Sequence, residues 1–236
     1  MTEVRTRLAV RLPDFTAARK IGSQLVRLPC ADAWPVSTGR GVPLWAVASA
    51  GLSPIVLIGG WLVSGAVQPA SYNPVRQTIS VLAGQGGTDR WFMTGALFLV
   101  GGCYLVTAAG LSLMRWPSRV LLVIAGLSSI GIATSPEPPG GPTPVHLAWT
   151  VIGGITIAIW PTVAGWSAPP EAPVLRAKAS AIVTALFVVL LGWVVIQTQG
   201  GSDLGLAERL ASSVQTSWPF VVAVLLRRST IPGSVA

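Results

Sequence analysis

Six apolar stretches dominate this chain, each near the length an α-helix needs to cross a bilayer. They are Leu44–Val67, Trp91–Met114, Pro117–Thr134, Val145–Trp166, Ala179–Thr198 and Leu206–Leu226. A helix needs about 20 apolar residues to span the hydrocarbon layer. The third stretch is short, and the sixth is polar over its first half. A membrane β-barrel would show alternating segments of about ten residues, and the sequence has none. Only 10% of the residues are charged, against about a quarter in a soluble domain, and the mean hydropathy is +0.65. The expected fold is therefore all-α: a polytopic bundle of six transmembrane helices. Residues 1–43 form a basic cytoplasmic tail, 44–228 the membrane domain and 229–236 a cytoplasmic C-terminal tail.

The cations choose an orientation. Arg5, Arg7, Arg11, Arg19, Lys20, Arg27 and Arg40 precede the first stretch; Arg115 and Arg119, Arg176 and Lys178, and Arg227 and Arg228 fall at alternate ends of the later ones. Only Arg76, Arg90 and Arg209 fall on the opposite side. The positive-inside bias then puts both termini in the cytoplasm of a bacterial cell, with the chain in its plasma membrane. The net charge of +8 and pI near 11.0 raise the question of nucleic acid. Clustering of the bases at the ends of apolar spans answers it: they are a topology signal, and no nucleic-acid partner is expected.

The first 40 residues lack the compact apolar core and cleavage site of a secretory signal. Phe15, Ala18, Ile21, Leu25 and Leu28 would share one helical face opposite Arg19, Lys20, Gln24 and Arg27, as in a helix resting on anionic lipid. A basic tail that only sets topology explains the same residues equally well. Cys30 and Cys103 lie in different environments, so no disulfide is expected.

Three polar loops fall on the outward face. In the first, Asn73 is placed to cap a short helix that Pro74 begins and Gly84 ends. Val75, Ile79 and Leu82 would share one face, Arg76 and Ser80 another. This predicts a short interfacial or re-entrant helix between spans one and two. The second loop, residues 135–144, holds five prolines around Glu137, with His146, the single histidine, just after it. The third, residues 200–205, opens the sixth span, where Glu208, Ser212 and Gln215 repeat at helical spacing and Arg209, Ser213 and Thr216 follow one residue behind. Charges in a span cost roughly 2.5–3.5 kcal/mol each on insertion scales, so they face the bundle interior or water, with partners.

Tyr72, Asn73, Arg76, Ser80, Arg209, Ser212 and Gln215 are accordingly candidates to hold a ligand, and Glu208, His146 and Glu137 candidates to move a proton. The favoured pairing is Arg76–Glu208, followed by Glu137–Arg209 or Glu137–His146. Plainer readings stand beside these. Asp89 and Arg90 read as solvated loop charges, Asp203 as a cap for the sixth span, and His146 as a ring held by a loop carbonyl. One histidine and two separated cysteines exclude a usual zinc or bis-histidine haem site. There is no Walker loop and no dinucleotide-binding glycine motif, so no metal or cofactor is expected. The glycine pairs at 59–60, 101–102 and 153–154 point to close helix packing.

The segments Tyr72–Leu82 and Gly86–Thr94, with the outward loop ending at His146, resemble one prokaryotic membrane family, domain of unknown function 998. The likeness runs from about Leu44 to Leu226. It implies a six-helix membrane fold and carries no assigned activity. Three functions fit the residues, in this order. The first is binding or processing of an amphiphile, a lipid or isoprenoid, with its apolar part among the helices and its head at the outward polar residues. The second is an accessory subunit of a larger membrane complex or a homo-oligomer, which the ten Trp suit. The third is a small-molecule transporter. Against that one, the inner half carries no polar set to match the outer one.

Overall fold

The computed structural model describes residues 41–168, 172, 175 and 177–229. The interfacial helix considered for the basic tail, and the tail's Cys30, lie outside these residues. The described residues form seven helices and no strand: α1 (Leu44–Ala66), α2 (Ile79–Ala83), α3 (Trp91–Gly110), α4 (Trp116–Thr134), α5 (Pro144–Ser167), α6 (Ala177–Gln197) and α7 (Leu204–Ser229). Five of them, α1 and α3 to α6, are long and apolar enough to cross a membrane. The charged and hydroxyl-rich first half of α7 keeps it out of that group, although its 26 residues reach about 39 Å.

The six long helices make a closed round. Each packs on its neighbours in sequence, and α7 returns to pack on α1; α2 sits against α1, α3 and α7. Lipid-facing positions stay apolar and exposed, as at Ile55, Leu99 and Val189, because the solvent there is hydrocarbon. The α6 helix is the least enclosed, with only Ser180 and Phe187 buried.

Helix ends follow local chemistry. Thr143 accepts the His146 amide through its hydroxyl and Pro144 takes the first position of α5. At the opposite end of the bundle, Arg119 Nε donates to Ala108 O at 2.8 Å and Arg227 Nη1 to Val42 O at 2.7 Å. Cations that read in the sequence only as topology signals thus also bind backbone carbonyls, one in the last turn of α3 and one just before α1. The α7 helix runs through Pro219 without ending.

One element departs from expectation. The short helix begins at Ile79, capped by Thr78, whose hydroxyl accepts from the Val81 amide. Asn73 instead closes a separate turn, its Oδ1 accepting from Val75 and Arg76. The reason is competition for carbonyls: those of Pro74 and Gln77 bind Arg209. Val75 accordingly stays exposed while Ile79 and Leu82 are buried.

Each glycine pair contributes at least one close contact, and in the third Gly154 also meets Leu191, at 3.3 Å. A Cβ on Gly101 would stand 2.6 Å from Ile130 and 2.7 Å from the Gly126 carbonyl, while Gly102 faces open space. Gly60 meets Ala96 at 2.5 Å and Gly153 meets Ser128 at 3.0 Å in the same sense. Gly101→Val should therefore part α3 from α4 and cost about 1–3 kcal/mol. Gly102→Ala should leave stability unchanged or slightly raised. Thermal unfolding of both variants in nanodiscs measures this; equal midpoints would refute the backbone contact.

Candidate functional site

The end of the round that carries α2 is organised by Arg209, 6% exposed in the second turn of α7. Its Nη1 donates to Pro74 O and Gln77 O, both at 2.7 Å, and to Gly205 O at 2.9 Å. Its Nη2 donates to the Tyr72 hydroxyl, and the guanidinium lies 5.5 Å from the centre of the Trp61 ring. The Leu206 amide adds a bond to Val75 O at 3.0 Å. Gly205 makes this approach possible, since a Cβ there would run into the Pro74 and Gln77 carbonyls. Burial pushes the Tyr72 phenol above its ordinary pKa; the Arg209 charge pulls it down and Glu208 pushes it up.

Glu208, one residue earlier, points elsewhere. Its Oε2 accepts the Ile79 amide at 2.6 Å, at the start of α2. The next residue, Ser80, has its hydroxyl 3.1 Å from His146 Nε2, and His146 Nδ1 lies 2.7 Å from Ser135 O. The imidazole is 3% exposed. The Glu137 carbonyl accepts the Gln85 amide at 2.7 Å, which ties the proline-rich loop to the end of α2. Burial pushes the Glu137 carboxyl above the usual carboxylate range.

Beneath α2 lies a cavity of about 180 Å³, lined from all six long helices. Its walls are mainly apolar, including Leu57, Val100, Ala125, Ile157 and Leu191. Its polar lining includes Ser80, Glu208, Ser212, Gln215 and Thr216. Ser212 donates to Arg209 O at 3.3 Å and Gln215 to Phe187 O at 3.4 Å. A second recess, of about 390 Å³, lies beside Trp61, Tyr72 and Arg209. Arg209 Nε and Trp61 Nε1 are buried without a hydrogen-bond partner.

The structure therefore brings Ser80, His146, Glu208, Ser212 and Gln215 to or beside one cavity, and places Tyr72 and Arg209 next to it. It leaves out three candidates, of which Glu137 lines neither the cavity nor the recess. Asn73 is exposed and spent on its own turn, and Arg76 is exposed. None of the expected ionic pairings forms. Glu208 takes a backbone amide, Arg209 takes carbonyls and a phenol, and His146 takes a carbonyl and a hydroxyl. Backbone groups left over at turns and helix ends outnumber the charged side chains at this end, and they are fixed in place. Asp89 and Arg90 remain loop charges, with Arg90 stacked on Trp91 at 4.2 Å. Asp203 precedes α7 and accepts the Ala207 amide through its carbonyl.

Sequence reasoning missed Thr78, Gln77, Gly205 and Trp61. Thr78, a β-branched hydroxyl residue just before the apolar Ile-Ser-Val-Leu run, carried a readable capping signal. The backbone carbonyls of Pro74 and Gln77 carried none.

Arg209→Lys should loosen the end that carries α2, because one ammonium cannot reach three carbonyls and a phenol at once. Each charged hydrogen bond lost costs about 1.5–3 kcal/mol. Expected are a lower unfolding temperature and faster amide exchange across residues 73–83. Unchanged exchange there would show that the segment is held by something else.

No curated protein and no solved structure matches the chain. A family profile described as protein of unknown function (DUF998) matches residues 46–225, which covers the helical round from α1 to α7 together with the Arg209-bound segment and the His146 loop. The all-α membrane architecture agrees with that assignment, and the chain belongs to the DUF998 family.

Proposed function

We propose that the protein binds or processes a single-chain amphiphile, a lipid or isoprenoid, whose apolar part occupies the central cavity. The observation that carries this reading is the composition of that cavity: apolar walls from six helices, with Ser80 and Glu208 among its lining beneath α2. At about 180 Å³ it is smaller than the roughly 300–1,000 Å³ of sites for drug-sized ligands, which favours one alkyl or prenyl chain over a bulky ring system. The head group would meet hydroxyl, carboxyl and amide side chains. It would not meet Arg76, which is exposed, or Arg209, which lines the second recess and is not among the residues of the central cavity.

In this reading α7 is a sixth span and α2 a short re-entrant cap, with both termini cytoplasmic in a bacterial plasma membrane. Support comes from the cation distribution and from the packing of α7 between α1 and α6. A second reading, as a subunit in a membrane assembly or homo-oligomer, draws on one observation. The exposed apolar face of α6, including Ile182, Val189 and Ile196, has the fewest contacts of its own to spare it from a neighbour.

Native mass spectrometry of the purified protein should find a co-purifying lipid. Ser212→Phe, which fills the cavity from a half-buried position, should cut its occupancy at least about tenfold, equivalent to about 1.4 kcal/mol, without loss of expression. Full lipid occupancy in that variant would rule the cavity out as the binding place. For orientation, single cysteines at the exposed Ser71, Gly140 and Ser202 should react with an impermeant thiol reagent on intact cells, and one at the exposed Trp116 should not. The reverse labelling pattern would invert the topology.

A further inference from the structure

Hydroxyls on these helices commonly bond back to a carbonyl one turn earlier, as Ser128 does to Ile124, Thr150 to His146 and Ser217 to Ser213. Ser80 does something different. It lines the cavity, and its Oγ lies 3.1 Å from His146 Nε2. The tautomer follows from the other side of the ring. Ser135 O can only accept, so His146 Nδ1, 2.7 Å away, carries the proton. In the neutral imidazole Nε2 is then an acceptor, and the Ser80 hydroxyl must be the donor. Nucleophile, base and orienting group stand in the order that acyl transfer requires, with a backbone carbonyl in the third place.

Three features keep this arrangement fixed. The ring is almost wholly buried between the α4–α5 loop and α2, so it has no room to turn away. Glu208 holds the Ile79 amide at 2.6 Å, which fixes the backbone immediately before the serine and makes Glu208 a positioning residue. Thr78 holds the Val81 amide on the other side of it.

We propose that Ser80, activated by His146, is the nucleophile of an acyl transfer reaction on a lipid carboxylic ester whose acyl chain lies in the central cavity. The proposal rests on the amphiphile reading above and specifies its substrate class. Ser80 Oγ forms a bond to the ester carbonyl carbon as its proton passes to His146 Nε2. The tetrahedral intermediate collapses, the bond from that carbon to the alcohol oxygen breaks, and the Nε2 proton goes to the departing alcohol. The acyl group is then an ester of Ser80. A water molecule attacks it, gives its proton to Nε2 and releases the fatty acid, and the proton returns to Ser80 Oγ. Water is the only co-reactant, and no electron changes hands.

The test uses the full chain in phosphatidylglycerol–phosphatidylethanolamine nanodiscs and a long-chain alkyl fluorophosphonate, with the adduct mapped by mass spectrometry. The expected result is one covalent adduct, on Ser80, absent in Ser80→Ala. His146→Gln should slow its formation by about 10²–10⁴-fold, the usual contribution of a general base. Thermal unfolding of each variant separates lost reactivity from lost fold. Should His146→Gln fail to fold, the wild-type protein alone decides: no adduct, or an adduct on a residue other than Ser80, overturns the proposal. Lipid analysis of the same samples isolates the cause. A folded protein that carries lipid but resists the probe overturns the serine–histidine dyad alone. One that neither carries lipid nor reacts overturns the amphiphile reading as well.

Discussion

A buried guanidinium hydrogen-bonded to backbone carbonyls and a phenol governs the end of the bundle that carries α2. Backbone that is neither helix nor sheet leaves carbonyls with no partner in its own segment. The segment from Tyr72 to Thr78 is such a backbone, and Arg209 answers it with bonds to the Pro74 and Gln77 carbonyls and the Tyr72 hydroxyl. The exchange works in both directions. A buried charge is itself expensive, and fixed carbonyl dipoles replace the water it gave up. Because the bonds come from α7 and end on the stretch between α1 and α2, they also help close the round where its last helix meets its first.

The same device recurs at two further groups near this end. Glu208 is met by an amide, His146 by a carbonyl and a hydroxyl, and at the other face Arg119 and Arg227 by carbonyls. Neutral backbone partners suit a thin chain with few charges. They are fixed by the helices that carry them, so no second long side chain loses rotamer freedom to make the contact.

This economy explains what the sequence disclosed and what it withheld. The long helices, their order and the polar cluster near α2 were legible, because hydropathy and helical period belong to side chains. Glu208 and Arg209 could be read as needing partners, and as pointing to different sides, from their adjacency alone. The partners themselves could not be read. A carbonyl such as that of Pro74 or Gln77 has no letter in the sequence, so reasoning from side chains reached for Arg76 and Glu137 instead. The short helix was misplaced for the same reason: Asn73 and Pro74 make a sound start signal, and only the tertiary pull of Arg209 on the intervening carbonyls moves the helix to Thr78. His146 was legible in one half. A ring held by a loop carbonyl was a stated expectation, while its contact with Ser80, 66 residues away in sequence, depends on how α5 and α2 meet.

The way the charges are spent bears on what the cavity can take. Were Arg209 or Arg76 aimed into it, an anionic head would be the natural guest. Arg209 is engaged by four oxygen atoms and Arg76 lies exposed, so the cavity beneath α2 offers hydroxyls, an amide and one carboxyl group. Groups of that kind match a neutral, weakly polar function such as an ester, buried between an alkyl chain and a more soluble alcohol. Within that set the Ser80 hydroxyl is the one joined to an imidazole, and the imidazole is oriented by an acceptor that cannot give up a proton. The chain has a single histidine, and the helices deliver it to a cavity-lining serine.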